Sequence, residues 1–125
     1  MSRIESRNVG DLDSKVESDN SRVLLSLAGK ITIDSSPGLR DQLLALLRDP
    51  VLEEVTVDLK SVSYIDLSGL ATFIEALKIA RAGKTRLLLM GLQERPRYLL
   101  EVSGLLPFFE EANDTQLGPS VERQG

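Results

Sequence analysis

The apolar residues of this chain change their period several times between Lys15 and Phe109, and that restricts it to alternating strands and helices around one core. Arg86-Leu87-Leu88-Leu89-Met90 is the most restrictive segment, because a run that is apolar almost without interruption is expected of an interior strand covered on both faces. Val55, Val57 and Leu59 alternate with Thr56 and Asp58, the period of a strand, and lead through Ser61-Val62-Ser63 to Tyr64-Ile65. Val23-Leu24-Leu25-Ser26-Leu27, closed by Gly29, is a third strand, and Lys15-Val16-Glu17 is an edge strand before it, with Asp19-Asn20 turning between the two.

Helical spacing fills the intervals. Ser36-Pro37 reads as a helix entrance, with the serine as cap, followed by Leu39, Leu43, Leu46 and Leu47 on one face and stopped at Asp49-Pro50. Leu70, Phe73, Ile74 and Leu77 define the inner face of a second helix that starts near Asp66 and ends at Gly83. Arg95-Pro96 opens a third, whose inward positions are expected at Leu99 and Val102, with Gly104 closing it before a last short strand near Phe108. The expected fold is α/β: a mixed β-sheet of four to five strands with three or more helices packed mainly on one face. Residues 1–14 and 113–125 are polar and without period, and are expected to be flexible tails around a domain at 15–112.

At 125 residues and 42% hydrophobic content the chain can bury one core, so one domain is expected. Fifteen basic against nineteen acidic residues, a net charge of -4, argue against a nucleic-acid partner. The apolar runs are far shorter than the ~20 residues of a membrane-spanning helix, and the N-terminus lacks the apolar block of a signal peptide, so the expected address is the cytoplasm. Histidine and cysteine are both absent, which removes Ser-His-Asp and Cys-His catalysis, disulfides and nearly all zinc sites. Gly83-Lys84-Thr85 lacks the earlier glycine of a phosphate loop, position 78 being Lys78, and no G-x-G-x-x-G is present. No cofactor, no metal and no enzymatic activity are expected. Asp58 and Asp66 are read as a strand residue and a helix cap rather than as a catalytic pair.

The segment Tyr64-Ile65-Asp66-Leu67-Ser68-Gly69-Leu70 joins a strand end, a cap and a glycine-bearing first turn, where backbone N–H groups converge. A phosphate on a hydroxyl there would add about -1.5 to -2 charges to a surface that a partner touches. Together with Leu27-Ala28-Gly29-Lys30-Ile31, Val57-Asp58-Leu59 and Val102-Ser103-Gly104-Leu105, this signature resembles the STAS domain of bacterial anti-sigma factor antagonists, over about Lys15 to Glu111.

The resemblance implies a regulatory module that binds an anti-sigma factor, often a serine kinase, and is released when that kinase phosphorylates it. In the family's usual Asp-Ser-Ser-Gly form the acceptor is the first serine, which here is Leu67, and Ser68 matches the second. Either Ser68 takes over as phosphoacceptor, or the protein is not switched by phosphorylation and Leu67 is an apolar docking contact; the second reading is preferred. Thr32 stands where antagonists often carry an acidic residue. The expected partner-binding residues are Asp66, Leu67, Ser68 and Gly69 with Thr32, Asp34, Ser35 and Ser36 of the preceding loop. The same resemblance admits an accessory subunit of an ABC lipid transporter, bound to its ATPase, and is compatible with a homodimer.

Overall fold

The computed structural model describes residues 2–112; the expected C-terminal tail at 113–125 lies outside them. The chain forms strands β1 (Ser2–Val9), β2 (Leu12–Asp19) and β3 (Arg22–Ile31), helix α1 (Ser36–Leu47), strand β4 (Glu54–Ile65), helix α2 (Leu67–Gly83), strand β5 (Arg86–Met90), helix α3 (Glu94–Val102), a 3₁₀ turn at Leu106–Phe108 and strand β6 (Glu110–Ala112). All strands join one sheet in the order β1-β2-β3-β4-β5-β6. The β1–β2 and β2–β3 pairs are antiparallel, and the remaining neighbours run parallel.

The mixed sheet and three helices are the expected architecture, but the sheet has six strands rather than four or five. The extra length is mostly at the N-terminus. Residues 2–9, expected to be tail, pair along their whole length with β2, which itself begins at Leu12 rather than Lys15.

Period-two alternation sorts the sheet into two faces. Val23, Leu25 and Leu27 of β3, Val55, Val57 and Leu59 of β4, and Leu87 and Leu89 of β5 point to the helices and share one cluster with Leu39, Leu43 and Leu47 of α1 and Leu70, Phe73, Ala76 and Ala80 of α2. Leu88 and Met90 form a separate pair on the opposite face. That two-sided burial explains the unbroken apolar run of β5.

The helix faces follow their leucines with small rotations. In α1, Leu44 is buried and Leu46 half-buried, and in α2 the expected Ile74 and Leu77 are half-buried while Ala76 and Ala80 reach the sheet. Helix α3 departs further: Pro96 and Leu100 are buried and Leu99 packs at the margin, whereas Val102, expected inward, is exposed. The residue before α1 is Ser35 rather than Ser36, and no serine hydroxyl caps that helix.

Strand β3 does not stop at Gly29. It continues to Ile31 with shifts in its pairing to β4 on either side of that glycine, whose φ of +117° only glycine adopts readily. A Cβ there would lie 2.1 Å from the Asp11 carbonyl oxygen, which accepts the Lys30 N–H at 3.0 Å. Gly29→Ala is therefore expected to cost at least about 2 kcal/mol in urea unfolding. An unchanged midpoint would show that the β2–β3 edge yields without strain.

Candidate functional site

Parallel pairing of β3 with β4 brings Ile31 beside Ile65, so that the chain leaves both strands at the same edge of the core. The Asp66 N–H donates to the Ile31 carbonyl at 3.0 Å and ties the two exits together. The Asp66 side chain then finishes the junction. One carboxylate oxygen accepts the N–H groups of Ser68 (2.9 Å) and Gly69 (3.1 Å) and the Ser68 hydroxyl, while the other accepts the Ile33 N–H at 3.1 Å from the loop before α1.

This arrangement modifies the expectation of amides open to a partner. The N–H groups of Ser68 and Gly69 are already consumed by Asp66, so the start of α2 carries its own anion. The carboxyl is held below the ordinary aspartate range, chiefly by the Ser68 hydroxyl against the opposing effect of burial, with the amides of Gly69, Ser68 and Ile33 adding to it.

The two expected segments do meet here, but their residues divide between support and surface. Ser36 and Ser68 face each other across α1 and α2, Oγ to Oγ, at 2.9 Å. Ser35 donates to the Lys30 carbonyl and accepts the Thr32 N–H, both at 2.9 Å. Ser35 and Ser36 are buried, and so is Gly69, where an added Cβ would come within 2.6 Å of Ile31 Cγ2. These three lie inside the junction and let α1 and α2 approach the strand ends. Arg40 and Glu75 reinforce that approach through two 2.7 Å contacts between the same helices, each group stabilising the other's charged form. Thr32 is half-buried and accepts the Asp34 N–H, and Asp34 is exposed.

Besides Asp34, the outward side chains are apolar or aromatic. Leu67 and Ile33 are each 74% exposed, one on either side of the Asp66 clamp, and the exposed Tyr64 shares a groove with Leu67. Ile33 was missed in the sequence, although it is a lone branched aliphatic residue between two polar loop residues. A groove of about 860 Å³ continues from Tyr64, Asp66 and Leu67 to Arg95, Tyr98 and Glu101 of α3. Asp58 does not join Asp66. It lies buried on the helix-free face, where it accepts the Lys60 N–H at 3.0 Å and pairs with the Lys60 ammonium at 3.5 Å.

The family model described as "Mlab, STAS domain" matches residues 14–106. The chain belongs to the STAS domain family. Among its relatives in that family is the anti-sigma-B factor antagonist of Listeria monocytogenes, 31% identical over 98 residues, covering 78% of this chain and 84% of the relative. The anti-sigma-B factor antagonist of Bacillus subtilis is 30% identical over 95 residues, covering 76% and 85%. These are names of regulatory antagonists and not of enzymes. The fold is shared with a crystal structure of an anti-sigma factor antagonist from Mycobacterium paratuberculosis, at a TM-score of 0.71 and 18% identity over 80% of this chain and 84% of that one. It is shared also with SpoIIAA in its unphosphorylated form, at 0.69 and 15% over 92% of both. No helix among the described residues of this STAS domain is long and apolar enough to cross a membrane.

The clamp sets a pH dependence. Because the Asp66 carboxyl titrates lower in the folded than in the unfolded chain, its contribution is complete above the ordinary aspartate range and is lost as the pH falls below about 4. Asp66→Ala should cost about 1–2 kcal/mol at pH 7 by loss of the cap, and the gap to the parent should narrow at pH 3. Urea unfolding of both at the two pH values checks this; a gap independent of pH would mean that the carboxylate charge contributes nothing.

Proposed function

We propose that this STAS domain is an anti-sigma factor antagonist that holds its anti-sigma factor through Leu67 and Ile33, flanked by Tyr64 and the exposed Asp34, and that phosphorylation at the start of α2 does not release it. The names of its relatives support the antagonist role. The observation that carries the finer reading is the exposed leucine immediately after the capping aspartate, at the position where the family's acceptor serine stands.

Ser68 is a poor substitute acceptor for a structural reason. Its hydroxyl donates to Asp66 and faces the buried Ser36 hydroxyl, so a phosphate there would break the clamp and set about -1.5 to -2 charges beside a carboxylate. Leucine at position 67 has no hydroxyl to modify. An apolar side chain with most of its surface in water is suited instead to fill a pocket on a partner.

The test is binding to the anti-sigma factor encoded in the same genome, with and without its kinase activity. Leu67→Glu should leave the unfolding midpoint within about 0.5 kcal/mol of the parent, as a surface change does, and weaken binding at least about tenfold in calorimetric titration. Incubation with the kinase and ATP should leave the intact mass of the parent unchanged, whereas Leu67→Ser should gain one phosphate. A phosphate mapped to Ser68 in the parent, or binding unaffected by Leu67→Glu, would contradict the proposal. Binding to an ABC transporter ATPase in place of any anti-sigma factor would replace the partner and contradict the antagonist role.

A further inference from the structure

Strand β1 is the N-terminal edge of the sheet, and among the described residues no strand pairs with its outer side. Val9 and Leu12 close a two-residue turn in which Gly10 has a φ of +59°. In such a hairpin the closing pair exchanges both hydrogen bonds and every second pair repeats the pattern, so Val9, Arg7, Glu5 and Arg3 bond inward to β2. The peptide groups of Asn8, Ser6 and Ile4 therefore point away from the sheet. Every residue from Arg3 to Asn8 is exposed, and α1 reaches β1 at Val9, which lies against Gly38.

Charged side chains on an edge strand resist self-pairing where like charges would face one another. The charges of β1 instead alternate in sign along one face: Arg3, Glu5, Arg7. Glu5 is held by Arg3 at 3.2 Å, while Arg7 makes no ion pair among the described residues.

From this edge we propose an interaction surface for a second copy of the chain: antiparallel pairing of β1 with β1 about a twofold axis at Ser6, extending the sheet across the dimer. In that register Glu5 faces Arg7 of the other copy, twice by symmetry, Ile4 faces Asn8, and Arg3 faces Val9. Cross-strand pairs of opposite charge stabilise a ladder, and Arg7 acquires a partner. The neighbouring registers are worse. Centring on Glu5 sets that carboxylate against itself and Arg3 against Arg7; centring on Ile4 overlaps only residues 2–6; and any register centred between residues opposes an outward peptide to one already bonded to β2.

The surface is distinct from the Leu67 site, which it leaves open in both copies. The Gly10 turn at one end of β1 lies against Asp34, so antiparallel pairing places the two Leu67 sites at opposite ends of the joined sheet. An interface of one strand per copy is small, and the association is expected to be weak and dependent on concentration.

Because the chain contains no cysteine, the register can be read by cross-linking. Facing residues of a hydrogen-bonded antiparallel pair lie about 5.5 Å apart between Cα atoms, within disulfide range. Ser6→Cys should oxidise to a covalent dimer; Ile4→Cys and Asn8→Cys should each remain monomeric alone and cross-link only when mixed with each other. Adding Arg7→Glu to Ser6→Cys should reduce the dimer yield severalfold, and adding Glu5→Arg as well should restore it. Failure of Ser6→Cys to dimerise, equal yields for all single cysteines, or indifference to the Arg7 reversal would overturn the proposal. Unfolding midpoints close to the parent's confirm that each variant is folded, as expected on a strand exposed on both faces.

Discussion

The Asp66 carboxylate is the constraint on which the rest of the site depends. It sits where two parallel strands end and two helices begin, and it must satisfy donors from both sides of that junction: Ser68 and Gly69 on α2, and Ile33 on the loop before α1. A single acceptor thereby fixes the loop against the helix start. With the amides occupied, what the junction presents outward is side-chain chemistry, and its most exposed apolar side chains are Leu67 and Ile33. On the proposed reading, a partner would meet a preformed surface here, and little ordering would be needed for it to dock.

The same geometry separates two serine positions that look alike in the signature. The residue directly after the cap points to solvent, whereas the next one turns back into the Ser36–Ser68–Asp66 chain of hydroxyls and carboxylate. The leucine at the first position has no hydroxyl and leaves the cap undisturbed. Support and exposed surface are thus carried by different residues: Gly69 and Ser35 pack at the strand ends, and Ser36 meets Ser68 across α1 and α2.

Much of this was readable from the residues, because the core obeys simple periods. Val55, Val57 and Leu59 alternate toward the helices, and α2 announces itself by its cap, its apolar spacing and its terminal glycine. Strand β1 was invisible for a physical reason: an edge strand exposed on both faces has no apolar side to alternate, so Arg3-Ile4-Glu5-Ser6-Arg7 reads as a tail until its partner is seen. The phase of α3 was set by contacts at the margin of the core and not by its own pattern, which is why Leu100 and not Val102 lies inward. In the site, the signature located the helix start and the loop. Only the three-dimensional structure divides their residues into buried supports and exposed side chains, and it adds Ile33 to the surface, since a lone apolar residue in a loop carries no periodic signal.

The central claim is that the partner is held at the Leu67 end of the domain, around the clamp. Amide chemical-shift mapping of the labelled protein, titrated with its anti-sigma factor, tests it most directly. The largest changes should fall on Ile33, Asp34, Tyr64 and residues 66–69. Changes confined to the helix-free face around Ser26, Asp58 and Met90, with the clamp residues unmoved, would contradict the account.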